Sequence, residues 1–122
     1  MKIPAFLLRR LYVKGSLQNT HEGFRFHLKN QLGSGYAKKL LPLALDGHEL
    51  PLDSSFFTED DKEIPFAAVG AGVFFTMAMN KSTTIRVDGT TLEKGPHTLK
   101  MAFEVAGLGT LSFDFTDVPS DE

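Results

Sequence analysis

The sequence predicts an all-β chain, a single-domain antiparallel β-sandwich, and three observations predict it. Apolar residues alternate with their neighbours at a period of two in segment after segment, as in strands with one buried face. Clusters of Gly, Pro, Asn and Asp separate these segments at short intervals. No window gives a long apolar stripe at helical spacing.

Taken in order, "KIPAFLLRRL" is the one stretch that reads as either a helical turn or a strand. Leu11 and Val13 alternate in "RRLYVKG", and Phe24, Phe26 and Leu28 alternate in "GFRFHLKN". Leu41, Leu43 and Leu45 lead into an Asp-Gly pair. The segment from Leu52 to Ala71 is less regular, with an acidic turn "TEDDKEIP" and a small-residue loop "AAVGAG". Val73, Phe75, Met77 and Met79 alternate next, then Ile85 and Val87 before a second Asp-Gly. Leu99 to Val105 and Leu111 to Phe115 close the series, and the tail from Asp117 to Glu122 is expected to fray. Roughly seven or eight short strands spaced by turns give the sandwich an immunoglobulin-like character, without the Cys pair or core Trp of antibody domains.

"LALDGHEL" and "IRVDGTTL" carry the same pattern. Asp-Gly suits a two-residue type I′ hairpin, which needs positive φ at both positions. The register then sets Leu45 opposite His48 and Leu43 opposite Leu50, and in the second copy Val87 opposite Thr90 and Ile85 opposite Leu92. Asp46 and Asp88 are on this reading turn residues rather than catalytic ones.

The chain has 122 residues, 42% of them hydrophobic, enough for one core and one domain over 1–122. With no cysteine there is no disulfide and no thiolate metal site. A net charge of −2 with scattered Lys and Arg gives no nucleic-acid footprint. No stretch approaches the ~20 apolar residues of a membrane span, so a cytoplasmic, soluble protein is expected.

Chemistry-bearing patterns are sparse. The four histidines, His21, His27, His48 and His97, show no metal-pair spacing, and each reads as a turn or surface residue. Glu59, Asp60, Asp61 and Glu63 read as a solvated turn, whereas a glycosidase holds two carboxylates roughly 5 to 10 Å apart in a cleft. Gly70 and Gly72 lack the third glycine and the helix of a dinucleotide fingerprint. The sequence therefore assigns no catalytic residue, no cofactor and no metal.

The informative signal is aromatic excess: 11 Phe and no Trp. "VFFTMAM" is apolar on both faces, and "FF" at Phe56 and Phe57 sends one ring to each side. Such a strand is either covered on both faces or part of an interface. The interface candidates are Phe56, Phe57, Phe74, Thr76 and Ala78.

"GSLQNTHEGFRFHLKNQL", Gly15 to Leu32, followed by "LALDGHELP" to Pro51, resembles the opening of the small β subunits of C-glycoside deglycosidases. The resemblance implies a β-sandwich subunit bound to a larger barrel-type α subunit that carries a divalent metal and the sugar chemistry. It transfers no catalytic residue, because the matching positions are structural.

Three readings follow. One is a non-catalytic accessory subunit with a larger catalytic partner, in sugar or glycoside metabolism. The second is a free-standing small-ligand or carbohydrate-binding module, self-associating or not. The third is an enzyme assembled from several loops, which requires a cleft setting His21, His48 or His97 against the acids from Glu59 to Glu63.

Overall fold

A computed structural model describes residues 3–70 and 72–121. Its elements, in chain order, are α1 (Ala5–Leu8), β1 (Gln18–Asn19), β2 (Gly23–Lys29), β3 (Gly35–Ala37), β4 (Lys39–Leu40), β5 (Ala44–Leu45) and β6 (His48–Glu49). There follow β7 (Ser55–Glu59), β8 (Lys62–Pro65), β9 (Phe75–Met77), β10 (Ser82–Asp88), β11 (His97–Val105), β12 (Gly109–Asp117) and β13 (Ser120–Asp121). The fold is all-β, as the alternation predicts. It is divided into more and shorter segments than expected, with β2, β10, β11 and β12 as the long ones.

One sheet runs β13-β1-β2-β10-β7-β8, and a second runs β12-β11-β5-β6 with β4 also on β11. β3 and β9 form a separate pair. Pairing is antiparallel except where β13 lies parallel beside β1, with Ser120 opposite Gln18. The end of the tail expected to fray is therefore bonded: Ser120 N–H donates to the Leu17 carbonyl at 3.1 Å.

The alternating sets meet in one core. Phe24, Phe26, Ile85 and Val87 from the first sheet join Leu99, Met101, Phe113 and Phe115 from the second. Phe26 meets Phe115 edge to face at 5.2 Å, and Tyr12 stacks on Phe115 at 3.6 Å. Each such ring stabilises the fold by about 2 kcal/mol relative to exposure. The ambiguous N-terminal stretch is helical: α1 passes into a 3-10 turn over Arg9–Leu11, which turns Leu8 and Leu11, three apart, onto the core. This replaces the Leu11–Val13 strand expected from alternation. Pro42, which has no N–H for a ladder, separates β4 from β5 and shifts the buried positions to Leu40 and Leu43.

The two Asp-Gly pairs part company. Asp46 and Gly47 have φ of 50° and 88°, Leu45 faces His48, and Leu50 N–H reaches the Leu43 carbonyl at 2.8 Å, which is the predicted hairpin. At Asp88-Gly89 there is no hairpin. Val87 lies between Phe24 of β2 and Ser55 of β7, so both flanks of β10 are taken and residues 90–92 have nothing to fold back upon. Leu92 instead enters the core, and Asn19 holds it through N–H to Oδ1 and carbonyl to Nδ2 contacts of 2.9 Å.

Ser55, buried on β7, has a hydroxyl with no hydrogen-bond partner among the described residues. A buried unpaired hydroxyl costs about 1 kcal/mol or more. Ser55→Ala should raise the urea midpoint by an amount equivalent to about 1 kcal/mol at unchanged m-value. An equal or lower midpoint would show that the hydroxyl is satisfied in solution.

Candidate functional site

β3 and β9 are built from small and aromatic residues on a strict alternation. Ala37, Phe75 and Met77 point to the core. Tyr36 and Thr76 are paired on the other face, which Phe74 and Ala78 continue. That outer face is open: Tyr36 is 47% exposed and Phe74 44%, and their rings meet edge to face at 5.1 Å. Three of the five expected interface residues, Phe74, Thr76 and Ala78, thus share one exposed face. Tyr36, which sequence reading missed, is its other aromatic half. Its pairing with Thr76 spans 40 positions and leaves no local pattern.

The other two candidates lie away from this face. Phe57 is 1% exposed and packs against Phe75 at 4.8 Å and Phe66 at 6.3 Å. Phe56 faces outward, but the Arg86 guanidinium sits over its ring at 4.7 Å. Arg86 is itself clamped by both oxygens of Glu63 at 2.6 and 2.7 Å, by Glu22 at 3.3 Å, and by Asp88. Strand β9 is also shorter than expected, because the Gly70–Val73 bridge and the turn at Asn80, φ 65°, bound it. Val73 and Met79 consequently join the exposed apolar surface.

Asn30 holds this small sheet in place. Its Nδ2 donates to the Gly33 and Met77 carbonyls at 2.7 and 2.9 Å. Its Oδ1 accepts from Leu32 and Gly33 N–H at 3.1 and 3.3 Å. All four side-chain bonding positions of a buried amide are used.

The titratable groups form a separate assembly. His97 contacts Asp46 Oδ2 at 2.6 Å through Nδ1 and the Glu93 carbonyl at 2.7 Å through Nε2. Asp46 Oδ1 accepts from Thr98 N–H at 2.9 Å. Two acceptors favour the doubly protonated ring, and the hydrogen bond to Asp46, then that to the Glu93 carbonyl, raises His97 above its ordinary 6.5. Bonding by Thr98 N–H and His97 holds Asp46 below its ordinary range. The turn aspartate therefore latches the β5–β6 hairpin to β11, a role the turn reading omitted. Because His97 is raised, its stabilisation is complete below about pH 6.5 and is lost as pH rises through the folded-state value. His27 works in the opposite sense, since burial, then Arg25, lowers it and favours its neutral form. The difference between wild type and Asp46→Asn isolates the latch. That variant should lose most of the stability advantage seen near pH 6, and the gap should narrow towards pH 8 in thermal scans. A gap that widens with pH would refute the latch.

Of the residues named for a multi-loop enzyme, Glu63 holds Arg86 and His97 holds Asp46. Among the described residues no group of three His, Cys, Asp or Glu could hold a metal. Asp60 and Asp61 occupy the β7–β8 turn at φ 48° and 66°. Among the same residues no helix is long and apolar enough to cross a membrane.

A family model described as hydroxymethylglutaryl-CoA reductase, N-terminal domain, matches residues 7–120. The chain belongs to that family. No curated protein sequence matches it. The match is to the reductase N-terminal-domain family and not to the C-glycoside deglycosidase small subunits that residues 15–51 resemble. The residues behind the resemblance answer to packing: Gly23-Phe24 opens a strand against β10, and Asp46-Gly47 turns a hairpin. As a reductase N-terminal domain by family, the chain is of a kind that accompanies a larger enzyme.

Proposed function

We propose that the chain is a non-catalytic accessory unit that docks on a larger catalytic protein through the outer face of β3 and β9. The exposed Tyr36–Phe74 pair carries this reading. Two rings stand in water on a sheet whose other face is core, and aromatic residues are enriched where interfaces are most buried. The family description supports a hydroxymethylglutaryl-CoA reductase as the catalytic protein, joined to this unit or bound to it. The match lends nothing to a role in sugar metabolism. Strand order β1-β2-β10-β7 beside β5-β11-β12 follows the A-B-E-D and C-F-G orders of an immunoglobulin sandwich, and supports that fold reading.

The test is co-purification of the tagged chain, at native level in its own host, with mass spectrometry of what accompanies it. A stoichiometric reductase catalytic unit is expected with wild type and should be lost in Tyr36→Asp/Phe74→Asp, a variant whose circular dichroism should match wild type. Recovery of the wild-type chain alone as a monomer would overturn the reading. It would favour a free-standing module, and recovery as a dimer would favour self-association.

A further inference from the structure

On its inner side the β3–β9 pair does not close fully on the core. An apolar cavity of about 140 Å³ lies between this pair, the N-terminal helical turns and the β11–β12 hairpin. Its walls include Leu8, Leu28, Met77, Phe103 and Leu111, all buried side chains that nonetheless border empty space. Small residues cause the gap. Gly35 lies opposite Met77 in the register, hence on the inward face, and a Cβ built there meets no atom within 4 Å.

The chemistry of the lining restricts the occupant. Among the described residues, no Asp, Glu, Lys, Arg or His borders the cavity. Its two hydrogen-bonding side chains besides Tyr36 are engaged elsewhere: Asn30 uses all four of its positions, and Ser34 Oγ accepts from Met79 N–H at 3.0 Å. Ordered water needs two to four polar partners, and a void of about 150 Å³ lined by Leu, Ile and Phe in an unrelated protein stays dry and takes benzene or xenon. A charged ligand would lose its hydration with only the neutral Ser34 and Tyr36 hydroxyls to replace it.

We infer that this cavity is a binding site for a small uncharged apolar molecule, of the size of a benzene ring or a short alkyl group. The site borders Tyr36, which the outer face proposed for docking also uses, so its test relies on neither Tyr36 nor Phe74.

Full-length protein with 13C-labelled methyl groups is titrated with benzene and, separately, with benzoate. Benzene should give saturable shifts confined to methyls that line the cavity, those of Leu8, Leu28, Met77 and Leu111 among them, together with a rise in Tm. Benzoate should bind at least about tenfold more weakly, because its carboxylate cannot be desolvated there. Gly35→Val adds bulk toward the cavity without backbone strain and should abolish the benzene response. Absence of a benzene response, an equal response to benzoate, or a response undiminished in a folded Gly35→Val protein would each overturn the assignment. Should Gly35→Val fail to fold, the wild-type benzene and benzoate titrations decide alone.

Discussion

Gly23→Ala is expected to destabilise the fold by about 3 kcal/mol or more, lowering Tm by roughly 10 °C or more. Gly23 opens β2 opposite Asp88, and a Cβ there would overlap the Val87 carbonyl oxygen and lie 3.0 Å from its carbon. Neither backbone is free to retreat. Gly23 is tied to Thr20 by the carbonyl at 2.9 Å and by its N–H to Thr20 Oγ1 at 3.1 Å. Gly89 N–H holds Glu22 at 2.8 Å on the next residue. The demand is for close approach of two chains rather than for an unusual φ. Gly35→Ala, with open space at its Cβ, is the control and should change stability by no more than about 1 kcal/mol. Equal unfolding midpoints for Gly23→Ala and wild type would refute the steric account.

Asn30→Ala carries the second large effect. It removes four hydrogen bonds and leaves the Met77 carbonyl, the Gly33 carbonyl and two N–H groups to find other partners. One such buried group costs about 1–3 kcal/mol, so a loss of about 3 kcal/mol overall is expected after local relaxation. The damage should be regional. Amides of residues 35–37 and 75–77 should exchange faster by a larger factor than those of β11 and β12. Asn30→Asp should fare no better, because a carboxylate cannot donate to either carbonyl. Uniform acceleration across the molecule, or rescue by Asp, would show that Asn30 is not the hub of the small sheet.

Alternation made the core legible. Phe24, Phe26, Ile85, Val87, Leu99, Met101 and Phe113 were all readable as inward residues, because a period of two assigns faces without knowledge of neighbours. What escaped depends on neighbours. "LALDGHEL" and "IRVDGTTL" are locally alike, yet one forms a hairpin and the other lies between two strands, and only the sheet order distinguishes them. "FF" at 56–57 announces one ring per side, but not that Arg86 would take the outer one. The face of Phe74, Thr76 and Ala78 was readable within one segment. Tyr36 was not, since it arrives through pairing with a segment 40 positions away. The His97–Asp46 latch is likewise a meeting of distant residues, 51 apart.

The short strand β13 has a consequence for how copies of this chain behave together. A strand with one bare flank is a template on which another molecule's backbone can build, the first step of fibre-like growth. β1 would present such a flank, and Ser120–Asp121 lie along it, pinned by the Asn19 Nδ2 contact to Asp121 at 3.3 Å. Two residues thus work as a stopper on an otherwise adhesive rim, and they set an exposed carboxylate where a stray strand would have to dock.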